Sequence, residues 1–185
     1  MSNEVSAGRA DYTIGVDGTL KANEPLLDLR RRIEELQVAE EMMNAAFCGA
    51  LIFGLFKRHA WLGRLDLDLS ASDEYDDSGG SYRSASLRVV QVGVRDGMSV
   101  PDIVLELDSS APLCVEDALA NGLEDYAGDF YAALRDEGDQ SEFSLSFDRV
   151  DVADLLNEPS VSAREAFVRM FSDYAYLVRA AEGKY

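Results

Sequence analysis

The chain has 185 residues, 47% of them hydrophobic, and a formal net charge of −18 at pH 7. That length and apolar content suit one folded domain and exclude disorder along the whole chain. The charge argues against direct binding to nucleic acid or to an anionic membrane and favours basic partners. Lysine is confined to Lys21, Lys57 and Lys184, and the one basic run, Arg30-Arg31-Arg32, is answered by Glu34-Glu35 one turn on. Cys48 and Cys114 lie among apolar residues and are too few for a disulfide framework. The N-terminus is polar and acidic rather than a secretory leader, so a cytoplasmic location is expected.

Residues 1–24 read as a loose polar arm with a short apolar stretch at Tyr12-Thr13-Ile14. Residues 25–185 read as a single α+β domain. Pro25 suits the first turn of a helix. From there Leu26, Leu29, Ile33, Leu36, Met43 and Phe47 recur at helical steps, which predicts one long helix from about residue 25 to the high 40s or mid 50s. Its first half is amphipathic. Its second half includes the uncharged run 42–56, shorter than the roughly 20 residues a membrane span needs, and is expected in the core.

The period then changes to two. Leu65, Leu67 and Leu69 alternate with Asp66, Asp68 and Ser70, predicting a strand near 62–70 with one wet face. A second strand is expected at 85–94, where the apolar phase shifts between Val89 and Val90; a β-bulge reconciles the two phases. Ile103, Leu105 and Leu107 predict a third strand at 101–108, and Phe143, Leu145 and Phe147 a fourth at 142–148. Between them an acidic helix is expected at 115–136, with Leu119, Leu123, Tyr126, Phe130 and Leu134 on one stripe. A helical turn near 151–157 and a last helix opened by the capping box Ser162-Ala-Arg-Glu165 complete the chain. The expected order is α-β-β-β-α-β-α around a mainly antiparallel four-stranded sheet, with Phe47, Leu51, Phe53, Leu123, Phe130, Phe147, Phe167, Phe171 and Tyr174 buried together.

Residues 102–158 hold sixteen acids and two bases, a net charge of −14 out of the chain's −18. Glu116, Asp117, Glu124, Asp125, Asp129, Asp136, Glu137 and Asp139 lie off the apolar stripe of the acidic helix and form the first candidate binding surface. A second is the hairpin tip with Asp73, Glu74, Asp76 and Asp77. The tip does not follow the calcium-loop pattern: counted from Asp73, the third position is Tyr75, the sixth Ser78 and the twelfth Ser84. His59, the only histidine, follows Lys57-Arg58 and reads as a cation at a helix C-terminus. An apolar setting would raise rather than lower the pKa of Cys48. No motif names a reaction, a metal or a cofactor.

Gly15-Val16-Asp17-Gly18-Thr19 resembles the first motif of the haloacid-dehalogenase-type phosphatases, Asp-x-Asp-Gly-Thr. The position of that family's nucleophilic Asp is Gly15 here, so the covalent step lacks its nucleophile and Asp17-Gly18 reads as a turn. The element order is also loosely similar to the secretion-chaperone folds, with one expected strand missing. These features together lead us to expect a non-catalytic protein that binds a basic, nucleic-acid-handling protein, as an inhibitor or immunity-type factor that mimics nucleic acid. One alternative is a chaperone or assembly protein that binds a partner chain or itself as a homodimer. Another is a metal-dependent enzyme in which Asp66, Asp68, Asp76 and Asp77 converge.

Overall fold

The computed structural model describes residues 9–101, 114–134 and 141–174. The chain divides into two compact units, Met1–Glu40 and Glu41–Tyr185.

In the first unit, β1 (Tyr12–Ile14) and β2 (Leu20–Ala22) form an antiparallel hairpin, Tyr12 opposite Ala22 and Ile14 opposite Leu20. Residues 9–23 thus contain a short two-stranded hairpin. Asp17 accepts from the Thr19 amide (3.1 Å) and hydroxyl (2.7 Å), Gly15 N–H donates to the Thr19 carbonyl, and Gly18 takes φ +78°. Asp17-Gly18 is thus a turn, and the Thr19 hydroxyl holds the Asp17 carboxyl below its usual value. Helix α1 (Glu24–Arg58) begins where Asn23 Oδ1 accepts from the Leu26 amide at 3.0 Å, with Pro25 in its first turn.

The second unit is built on a three-stranded antiparallel sheet of order β4-β3-β5: β3 (Leu62–Tyr75), β4 (Ser81–Val94) and β5 (Glu142–Asp148). The α+β class and the antiparallel pairing hold, but among the described residues there is no single four-stranded sheet. The sheets have two and three strands, and the strand expected at 101–108 lies outside the described residues but for Pro101. Leu65, Leu67 and Leu69 of the central strand face Phe147, Leu145 and Phe143 on one side, with Leu67 and Leu69 facing Val89 and Leu87 on the other. All eight are buried. The opposite face carries Asp66, Asp68, Ser70, Arg88, Ser144 and Ser146, so the sheet has one dry and one wet face. Asp66 pairs with Gln91 and Leu67 with Val89, which leaves Val90 as the extra residue of a bulge where the apolar phase shifts.

Helical elements close the dry face. Ala45, Cys48, Gly49, Ile52, Phe53, Leu55 and Phe56 of α1 are buried. The expected acidic helix is broken into α2 (Val115–Ala120), a 3-10 turn (Glu124–Tyr126) and α3 (Ala127–Leu134). The break falls at Asn121-Gly122, where residues with poor helix propensity let the chain turn while Leu119, Leu123 and Phe130 stay buried. The 3-10 turns Arg149–Val152 and Leu155–Asn157 follow β5. Helix α4 (Ala163–Met170) starts at Ser162, whose hydroxyl accepts from the Glu165 amide at 3.1 Å. Phe53, Leu123, Phe130, Phe147, Phe167 and Phe171 are buried as expected, and Leu51 and Tyr174 pack partly against them. Phe47, expected in the core, is instead 40% exposed and meets Tyr126 edge-on at 5.4 Å, a half-buried neighbour that leaves part of its ring in solvent.

Gly49 sets how closely α1 and α4 approach. A Cβ built there would lie 2.5 Å from Phe167 N and 2.6 Å from Phe167 Cα, whereas one at Gly54 meets nothing within 4 Å. Gly49→Ala should therefore lower unfolding free energy by about 2–3 kcal/mol, while Gly54→Ala should leave it level or raise it by up to about 1 kcal/mol. Denaturant titration of the two variants checks this; equal effects would show that the helices part freely.

Phe130 is 0% and Phe171 2% exposed, with ring centroids 6.4 Å apart. Truncating either to Ala should cost about 3–5 kcal/mol. A loss below about 1 kcal/mol in the same titration would place that ring outside the core.

Candidate functional site

The acidic face is carried by the broken helix of the second unit. Cys114 precedes α2, its sulfur accepting from the Asp117 amide at 3.4 Å. That places Glu116 and Asp117 in the first turn, where carboxylates favour the helix dipole. Glu124 and Asp125 sit in the 3-10 turn and Asp129 in the first turn of α3. Asp117, Glu124 and Asp125 are exposed and Glu116 and Asp129 half-buried, while Leu119, Leu123, Ala127, Phe130 and Leu134 of the same elements are buried. The chain therefore turns its apolar side inward and leaves Asp117, Glu124 and Asp125 in solvent, with Glu116 and Asp129 half-buried. Asp136, Glu137 and Asp139 lie outside the described residues.

Among the described residues, none of the five forms an ion pair. Three acids elsewhere in the same unit do have such partners. Asp66 is held by Arg64 at 3.0 Å and by the Ser146 hydroxyl at 2.7 Å. Asp68 is held by Ser144 at 2.8 Å and Arg88 at 3.1 Å, and Asp154 by both terminal nitrogens of Arg169.

The hairpin tip is shorter than its sequence suggests, because strand pairing continues to Tyr75 and resumes at Ser81. Asp76 is a turn residue: its Oδ1 accepts from the Ser78 hydroxyl (2.7 Å), the Ser78 amide (2.9 Å) and the Gly80 amide (2.7 Å). These donors, the Ser78 hydroxyl foremost, hold its carboxyl below the usual range. Glu74 accepts from the Tyr82 hydroxyl at 2.9 Å, and Asp73 lies in register with Arg83. Two of the four tip acids, Glu74 and Asp76, are thus engaged within the hairpin.

The carboxylates required for metal chemistry do not converge. Asp66 and Asp68 are tied to Arg and Ser on the wet face of the sheet, and Asp76 caps the turn beyond the strand ends. Among the described residues no group of three or more His, Cys, Asp or Glu is placed to hold a metal ion. Cys48 is buried, and desolvation pushes its thiol up to about 12, away from the nucleophilic range. Burial, aided by the Arg58 charge, holds His59 below its ordinary value, so it is not the cation closing α1.

Arg149 does that instead. Its Nη1 donates to the carbonyls of Phe56 (2.6 Å), His59 (3.3 Å) and Leu62 (3.3 Å), taking up acceptors that the helix end leaves free. An arginine 93 residues from its acceptor gives no sequence signal. Arg95 donates likewise to the Ala60 carbonyl at 3.1 Å. Both arginines line an open pocket of about 450 Å³ with Asp148, Val150, Leu156 and Asn157, without a His or Cys. Comparison with family models, curated proteins and solved structures finds no match for this chain.

The Ser144 hydroxyl, followed by Arg88, lowers the Asp68 pKa. A carboxyl whose folded pKa is depressed adds stability above its unfolded value, and that stability is lost as pH falls through the folded one. Ser144→Ala should move the Asp68 carboxyl up toward its ordinary value in an NMR titration and make acid unfolding begin at higher pH. An unchanged titration would show that the hydroxyl does not hold the carboxylate in solution.

Proposed function

We propose that the protein is a non-catalytic binding protein whose acidic face engages a basic protein partner. The reading extends to an inhibitor or immunity-type factor directed at a nucleic-acid-handling protein, with carboxylates set where phosphates would lie. One observation carries it. Asp66 and Asp68 on the sheet and Asp154 beside α4 have arginines or hydroxyls of their own, whereas Glu116, Asp117, Glu124, Asp125 and Asp129 share a helical layer with no described base paired to any of them. Like charges left together repel one another and cost stability, a cost that a basic partner relieves. A solubilising role would be served as well by carboxylates spread over the whole surface.

Chaperone or assembly function is the second reading. It is favoured by the exposed apolar residues of the first half of α1, among them Leu29, Ile33 and Leu36.

Asp117→Lys, Glu124→Lys and Asp125→Lys together should leave the fold intact, since all three side chains are exposed. The immobilised wild-type protein should retain a basic protein from cell lysate at low salt and release it at high salt. Against that isolated partner the triple variant should associate about tenfold more slowly or worse, the gap narrowing as salt rises. Equal rates for wild type and variant would reduce the acidic face to a solubility device. The same reversal at Asp73 and Asp77 is the control and should change the rate little.

A further inference from the structure

Among its described residues the first unit has no buried core. From residue 9 to residue 40 no side chain is buried, and Leu29 is 45% exposed, Ile33 47% and Leu36 69%. A unit this small gains little stability without buried surface, so an apolar stripe on the first half of α1 is left to be covered. Along α1, Leu26, Leu29, Ile33 and Leu36 follow steps of three, four and three, the a and d positions of a heptad, and Glu40 takes the next a position. A strict 3.5-residue repeat marks a seam for another helix rather than for a sheet, whose helices carry a wider stripe.

Charge then selects the occupant and its direction. Arg30 and Arg32 flank the basic half of the seam, and Glu40 lies within its other end. Arg30 donates to the Tyr12 hydroxyl and sits over that ring, 5.6 Å from its centroid. Arg31 is spent on Asp28 at 2.9 Å within the helix. Among the described residues neither Arg30 nor Arg32 has a carboxylate partner. A second copy running antiparallel answers both ends at once. With Ile33 of each copy against Leu36 of the other, Leu29 meets Glu40 of the second copy, and Arg30 comes within side-chain reach of that carboxylate. A parallel pairing would instead set Glu40 against Glu40 in the seam, a buried like-charge contact.

We infer that the first half of α1 is a dimerisation seam, on which two copies of this chain pair antiparallel about the Ile33–Leu36 centre. The inference does not rest on the acidic face. The two fail separately, because the seam variants carry an unaltered acidic face and the reversed face leaves the seam intact.

Sedimentation of the full chain at up to about 100 μM should show a dimer. Leu36→Asp should weaken it at least about a hundredfold. Val38→Asp, on the far side of the helix and likewise exposed, should leave it unchanged. Glu40→Arg should weaken the dimer about tenfold, and adding Arg30→Glu should restore most of that loss. The fluorescence and near-UV signal of Trp61, buried in the second unit, reports that each variant is folded. Direction is read from a spin label at Glu24→Cys in a Cys114→Ser background, since Cys48 is buried. Labels in the antiparallel pair should lie about 30 Å apart, against about 10 Å in a parallel one. A monomeric wild type, a dimer that survives Leu36→Asp, or the short label distance would each overturn the inference.

Discussion

The apolar second half of α1 has to be taken out of water, and the second unit is organised around that requirement. Ala45, Cys48, Ile52, Phe53, Leu55 and Phe56 need a dry surface, which the sheet supplies through Leu65, Leu67 and Leu69 and their neighbours on β4 and β5. Full burial of each large aliphatic or aromatic side chain is worth roughly 1.5–3 kcal/mol, so this layer supplies much of what holds the sheet to its helices. Two local features make the burial possible. Gly49 removes the Cβ that would strike the Phe167 backbone, and Arg149 satisfies the carbonyls at the end of the helix that water would otherwise reach. Helix α4 completes the cover, with Phe167 stacked on Phe171 at 4.7 Å and Phe171 edge-on to Phe147 at 4.9 Å.

Once the dry face is closed, the acids divide by surroundings. Those on the wet face of the sheet alternate with the buried leucines, so cross-strand neighbours can reach them, and serines and arginines do. Acids of the broken helix alternate with Leu119, Leu123 and Phe130 at helical steps, and among the described residues no base pairs with them. The same sequence charge is thus structural in one layer and unspent in the next. That difference, rather than the net charge of −18, supports the binding reading.

Much of the fold was legible because its signals are local. Period-two leucines gave β3, the phase slip at Val89–Val90 gave the bulge, and Ser162 with Glu165 gave the start of α4. What escaped reading is long-range or compensated. The stripe Leu119, Leu123, Tyr126, Phe130 keeps helical spacing across Asn121-Gly122, so periodicity conceals the break. Phe47 shares the spacing of its stripe, yet periodicity cannot say whether a neighbour covers it. His59 was read as the cation closing α1 from its place in the chain, whereas the structure recruits Arg149 from beyond β5. Of the candidate site, Asp117, Glu124 and Asp125 are exposed, Glu116 and Asp129 are half-buried, and Asp76 accepts hydrogen bonds within its own turn, a local role that the count of acids at the tip does not reveal.

We propose that the carboxylates of the broken helix, unpaired among the described residues, meet lysines of a partner. Zero-length carbodiimide coupling within the captured complex joins only a carboxylate and an amine already in contact, and mass spectrometry of the products locates both. The account requires cross-links from partner lysines to Glu116, Asp117, Glu124, Asp125 or Asp129. Cross-links confined to Asp73, Glu74 and Asp77, or to the first half of α1, would contradict it.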